Sequence, residues 1–122
     1  MPVNGVIGRI EINTQTAADN RHPPFITTVP FPEEHPAIPV GTLLIKVNGG
    51  EPGSVEPAMG QEGEELIGVL NESADKNAGH GNMLIHGSCP VDILKVFNIS
   101  TEAVSPVTTK QIAGLQAIGI YV

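Results

Sequence analysis

The chain has 122 residues, of which 40% are hydrophobic and 16% charged, so it has room for one folded domain and excludes two enzyme-sized domains. Six Lys and Arg against thirteen Asp and Glu give a formal net charge of -7, which repels phosphate backbones and anionic lipid, so we expect no nucleic-acid partner and no membrane partner. The single cysteine, Cys89, excludes an internal disulfide and a cysteine-rich zinc module, and an intracellular protein is expected.

The N-terminal residues carry a strand pattern. Val6, Ile10 and Ile12 alternate with Ile7 and Arg9, which is typical of a β-strand with one mixed face. The strand has no evident hairpin partner in its own chain. Because unpaired strands seek partners, we expect these five residues to complete the sheet of another chain.

A proline-rich segment follows this strand. Residues 23–39 contain six prolines, which forbid a helix and remove backbone N–H donors. Proline also fixes φ in advance, so an extended path loses less entropy than a Gly/Ser linker of the same length. The sequence therefore predicts an extended arm over residues 1–40, and a plain interdomain spacer is the alternative interpretation of the proline segment.

The composition changes after residue 40, and we expect a β-rich body over residues 41–122. Short apolar runs bounded by turn residues predict strands over residues 42–47, 66–70 and 117–122. Residues 82–86 and 91–97 are predicted to form a hairpin across the four-residue link 87–90.

One helix is expected near the C-terminus. Thr108 or Thr109 has the side chain to cap a short helix that runs through Leu115. The predicted fold class is therefore mainly β with one short helix (α+β).

The four histidines suggest a catalytic alternative. A small metal-dependent β-fold enzyme would use His80 and His86, but their spacing lacks the short helical intervals of zinc and non-haem iron sites. His22 and His35 fall beside or between prolines, where we expect exposed side chains. We therefore predict no catalytic residue, no metal and no cofactor.

Two other features are given structural interpretations. Ser88 and Cys89 lack the G-x-S-x-G elbow of a nucleophile, so Cys89 is interpreted as an inert apolar residue at the hairpin turn. The acidic residues between Glu51 and Asp75 lack the pattern of a calcium loop and predict a solvated face.

The order of features from residue 41 onward resembles a known family. Its parts are Gly41-Thr42-Leu43-Leu44 after a proline-rich lead, Leu66-Ile67-Gly68-Val69-Leu70 after an acidic Gly-rich loop, Leu84-Ile85-His86-Gly87 followed by Val91-Asp92-Ile93-Leu94, a short helix near residues 109–115, and Ala117-Ile118-Gly119-Ile120-Tyr121-Val122. In this order the body resembles the small head decoration proteins of lambda-type tailed bacteriophages.

The resemblance implies a structural protein of the virion, made in the bacterial cytoplasm and bound outside the expanded capsid. Such proteins form homotrimers at local threefold positions, and their N-terminal arm pairs with strands of the major capsid protein. Phe97, Ile118 and Ile120 are then either core residues or part of the trimer interface. A third hypothesis is a β-domain adaptor that binds a host protein through the arm.

Overall fold

A computed structural model describes residues 16–19, 21–47, 55–60 and 64–122. Within these ranges the backbone is mainly β with one α-helix, which confirms the predicted fold class. The elements are β1 Phe25–Pro30, β2 Leu43–Lys46, β3 Val55–Pro57, β4 Leu66–Leu70, β5 His80–Ser88, a 3-10 turn Val91–Ile93, β6 Val96–Phe97, β7 Val104–Ser105, α1 Thr109–Ala117 and β8 Ile120–Tyr121.

The main sheet is built around the long strand β5. Its antiparallel order is β1-β5-β4-β2-β3, and β8 adds to β5 in parallel through Gly87 and Ser88. Strands β6 and β7 form a separate two-stranded ribbon. Among the described strands β1 is therefore at an edge of the sheet, the position where a strand ending in Pro30 is tolerated.

Both faces of this sheet are apolar. Successive residues of a strand point to opposite faces, so Leu43 and Val69 face one side while Leu44 and Leu70 face the other. We call the first side the helix-side core, formed by Ala17, Val40, Leu43, Ala58, Val69, Leu84, Cys89, Ile93, Leu94, Val96, Leu115 and Ile120. The second is the proline-side core, formed by Val29, Phe31, Ile38, Leu44, Val55, Leu70, Ala74, Met83 and Phe97.

The proline-rich segment covers one of these faces. Its residues Val29, Phe31 and Ile38 are buried in the proline-side core, and its strand β1 pairs with β5. Burial of each large side chain contributes about 2 kcal/mol. Residues 16–19 and 21–40 belong to the predicted arm, but in the structure they pack on the body. Residues 1–15 lie outside the described residues, so an extended arm over them stays a prediction.

The predicted hairpin between residues 82–86 and 91–97 is wrong. Residues 91–93 form a 3-10 turn, and β6 pairs with β7 instead of β5. Residues 82–86 have no free edge for the hairpin, because β1 pairs with them on one side and β4 pairs with Met83 and Leu84 on the other. The chain after Pro90 crosses instead to the start of β2, where Lys95 and Gly41 are hydrogen-bonded.

The predicted helix is confirmed and its cap is resolved to one threonine. Thr108 Oγ1 accepts from the Gln111 N–H at 3.2 Å, and Gln111 Oε1 accepts from the Thr108 N–H at 2.8 Å, which completes a capping box. The helix runs to Ala117 and buries Leu115. Because the helix includes Ala117 and a turn follows it, the last strand is only Ile120–Tyr121, which is shorter than the predicted strand over residues 117–122.

The fit between the proline-rich segment and β5 yields a test. Gly81 lies under the Phe31 ring, and a Cβ there would stand 2.4 Å from two ring carbons. The ring is itself buried, so it cannot move aside without opening the proline-side core. We expect Gly81→Ala to lower the free energy of unfolding by about 1–3 kcal/mol in urea titrations.

Gly79→Ala is the matched control for that variant, because a Cβ at Gly79 meets nothing within 4 Å. Both variants reduce the entropy of the unfolded chain equally, so the difference between them isolates the clash. Equal stability of the two variants would contradict the described packing of Phe31.

Candidate functional site

The residues predicted to pair with another chain precede the described part of the structure. Val6, Ile7, Arg9, Ile10 and Ile12 lie outside the described residues, and their role stays a prediction. What the structure places is the point where this segment joins the body.

That junction is held by main-chain hydrogen bonds. Ala17 is fully buried in the helix-side core, and its N–H donates to the Asn71 carbonyl at 2.9 Å. The Ala18 N–H donates to Asn71 Oδ1 at 3.0 Å, and the Asp19 N–H donates to the Ser88 carbonyl at 2.9 Å. We call residues 17–19 the root of the N-terminal segment; its position on the body is fixed.

A polar network surrounds the root. The buried Ser88 hydroxyl donates to Asp19 and accepts from the His22 N–H, while the Arg21 guanidinium bonds both Asp19 and the Cys89 carbonyl. The hydrogen bond from Ser88, helped by the Arg21 N–H, holds the pKa of the Asp19 carboxyl below its ordinary value. The network therefore fastens the root to the end of β5 through an ionised carboxylate.

Cys89 is part of this region but is unsuited to nucleophilic chemistry. Burial of the side chain, aided by the charge of Asp19, raises the pKa of the Cys89 thiol to about 11. The thiol therefore stays protonated near neutral pH, as expected for an inert buried cysteine.

A row of four rings lies on the surface beside the root. The ring centroids of His22 and Tyr121 are 5.0 Å apart, those of Tyr121 and His86 6.4 Å, and those of His86 and Phe25 5.8 Å. Phe25 is 60% exposed and Tyr121 42% exposed. We call His22, Phe25, His86 and Tyr121 the aromatic row.

The row concentrates the chain's exposed aromatic surface. The chain has three Phe and one Tyr, and the remaining two, Phe31 and Phe97, are buried in the proline-side core. The row also adjoins the root directly, because Ser88 pairs with Tyr121 and bonds both Asp19 and His22. Both exposed Phe and Tyr side chains of the chain therefore belong to the row.

Gly119 is required for the geometry of the row. Its φ is +96°, and a Cβ there would stand 2.4 Å from the His86 ring. Only glycine combines this backbone conformation with this close approach, so the turn between α1 and β8 packs directly on His86.

Sequence reasoning missed the aromatic row because its members come from three separate segments of the chain. One local signal was available. Alternation in residues 117–122 places Tyr121 on the opposite face from Ile120, which is buried. The pairing of β8 with β5, which brings Tyr121 to His86, has no such signal.

The three residues predicted as core or trimer interface fall into two groups. Phe97 and Ile120 are buried inside the chain, so they belong to the core and present no surface to another copy. Their assignment to a trimer interface is corrected on this ground. Ile118 is 36% exposed.

The histidines do not converge. His80 and His86 lie at the two ends of β5, roughly 20 Å apart along an extended strand. His80 lines a cleft of about 140 Å³ with Glu72, whereas His86 belongs to the aromatic row. Within the described ranges no three His, Cys, Asp or Glu side chains are grouped so as to hold a metal ion. His35, expected to be exposed, is buried at 4% exposure.

A larger groove of about 710 Å³ lies between α1 and residues 59, 60 and 64–66. Its lining mixes apolar side chains such as Leu66, Val96 and Ile118 with Glu65 and Lys110. Its described lining includes neither a histidine nor Cys89, so the groove does not join the residues considered for catalysis.

The Asp19 carboxylate yields a pH-dependent prediction. A pKa lowered on folding means that the contact stabilises the protein above the ordinary carboxyl value of about 3.9 and that this stability is lost as the pH falls through the folded-state pKa. We expect Ser88→Ala to raise the pKa of Asp19, measured by carboxyl ¹³C NMR. The free energy of unfolding of the variant should differ from that of the wild type less at low pH than at neutral pH.

Ser105→Ala removes a hydroxyl from an exposed strand and serves as the control for Ser88→Ala. It should leave the titration of Asp19 unchanged. If Asp19 titrated at the same pH in both variants, the Ser88 hydrogen bond would not be the cause of the shift.

No protein-family model matches the chain, and no curated protein matches it. Among the described residues, no helix is long and apolar enough to cross a membrane.

Proposed function

We propose that the protein is a structural component of a phage virion. It binds the outer surface of the expanded capsid as a trimer at threefold sites and stabilises the shell against the pressure of packaged DNA. Val6, Ile7, Arg9, Ile10 and Ile12 pair with strands of the major capsid protein. The mainly β body with one short helix agrees with the fold class that the sequence resemblance implies.

The observation that carries the proposal is the root beside the aromatic row. Residues 17–19, which follow the proposed pairing segment in sequence, are hydrogen-bonded to the body, so tension on that segment would be transmitted to the sheet through Ala17, Asp19 and Ser88. Phe25 and Tyr121 lie next to that point and are exposed. A partner that binds the segment is therefore brought against an apolar surface of the body.

Three such segments on one trimer explain how weak pairing gives firm attachment. Once one segment is bound, the other two meet their sites at high effective concentration, and avidity exceeds single-site affinity by about 10²–10⁴. The net charge of -7 suits a protein that works on the outside of the shell and has no contact with the packaged DNA.

Deleting residues 1–15 tests the proposal while sparing the root, because Ala17 is buried and must stay. We expect the shortened protein to remain a folded trimer and to lose at least about a hundredfold in binding to purified expanded capsids, measured by co-sedimentation.

Ile10→Asp in the full chain should weaken binding to the capsids in the same assay. Glu11→Gln, on the other face of the predicted strand, is its control.

The body surface is tested in the same assay with Phe25→Ser. Val104→Ser is the matched control, since Val104 is similarly exposed but lies on β7, outside the aromatic row. Unchanged binding after the deletion, or a full-length protein that stays a monomer at high concentration, would contradict the proposal. Binding of the chain to a host protein but not to capsids would favour the adaptor hypothesis instead.

A further inference from the structure

His35 lies in the seam that closes the proline-rich segment onto the body. In this seam the Phe31 N–H donates to the Gly79 carbonyl, and Ile38 and Ala74 exchange two hydrogen bonds of 2.9 Å. His35 and Asn77 exchange two more, from the His35 N–H to Asn77 Oδ1 and from the Asn77 N–H to the His35 carbonyl. The ring of His35 is therefore held between two strips of backbone, residues 31–38 and 74–79.

Both ring nitrogens of His35 face backbone carbonyl oxygens. Nδ1 lies 2.7 Å from the Pro36 oxygen, and Nε2 lies 2.7 Å from the Ala78 oxygen. A carbonyl oxygen only accepts hydrogen bonds. Each of these two contacts therefore requires an N–H on the ring.

A neutral imidazole has one N–H and cannot make both contacts. Its bare nitrogen would place a lone pair against a carbonyl oxygen at 2.7 Å, a repulsive contact with no hydrogen between the atoms. We infer that His35 carries protons on both ring nitrogens in the folded protein. Protonation of this ring therefore helps to hold the proline-rich segment against residues 74–79.

The ionisable groups near the ring lie on the surface. On its own segment the neighbouring ionisable groups are Glu33 and Glu34, and on the facing segment they are Asp75 and Lys76, all exposed. His80 follows the facing segment and is also exposed. Inside the seam, the two carbonyl oxygens replace the water that burial removes from the ring.

The consequence for stability has a definite sign. Because both ring contacts of the folded chain need a proton, folding takes up a proton once the unfolded ring is neutral, and stability then falls as the pH rises. Loss of that proton breaks one of the two ring contacts and loosens the cover of the proline-side core.

Long-range ¹H–¹⁵N NMR of the ring tests the inference on the unaltered protein. At about pH 7.5 we expect both nitrogens of His35 to be protonated in the folded chain and one to be bare when the same sample is unfolded in urea. A folded His35 with one bare nitrogen at that pH would overturn the inference.

A stability series tests the linkage independently. Between about pH 6 and 8.5 the unfolding equilibrium constant of the wild type should rise faster than that of His35→Gln, by up to about tenfold per pH unit. His80→Gln, which removes an exposed histidine, should keep the wild-type profile. If the unfolding constants of wild type and His35→Gln changed in parallel with pH, the inference would be wrong. If His35→Gln does not fold, the NMR spectrum of the His35 ring in the wild type decides.

Discussion

The fold depends on covering both faces of one small sheet. The strands β2, β4 and β5 carry apolar residues on each side, so a single cover would leave one of the two cores in water. The helix-side core is closed by α1 and the chain around the 3-10 turn, and Leu115 and Ile93 contribute to it. The proline-side core is closed by the segment from β1 to Ile38. The prolines thus stiffen a cover, which lowers the entropy lost when it packs.

The elements that sequence reasoning found are those with local signals. Strand β4 is a short apolar run between polar residues, and Thr108 with Gln111 has the spacing of a capping box, so both were predictable. Strand β1 was missed because two prolines precede it and Pro30 ends it, which masks a strand that forms only by pairing with β5. The false hairpin has the same origin, since the pairing of β5 with β1 and β4 leaves residues 82–86 no free edge.

The candidate site was less predictable than the fold. The sequence around each member of the aromatic row gives no sign of the cluster. Only the pairing of β1 and β8 with β5 brings Phe25, His86 and Tyr121 together. His35 shows the same limit: prolines on both sides of it predict exposure, yet the segment folds back and buries its ring against Ala78. Long-range pairing, which sets both features, leaves little trace in the residues involved.

The proposed function joins these features into one mechanism. The root holds residues 17–19 on the body by hydrogen bonds, and the exposed Phe25 and Tyr121 of the aromatic row lie beside it. The root is bonded to Asn71, which follows β4, and to Ser88 at the end of β5, and both of these strands have neighbours on both sides.

Amide hydrogen exchange of residues 6–12 tests the central claim most directly, by comparing the free protein with the protein bound to expanded capsids. The account predicts fast exchange in the free protein and strong protection on the capsid, as expected for a strand paired with another chain. Protection that is already complete in the free protein, or capsid binding that leaves these amides unprotected, would contradict it.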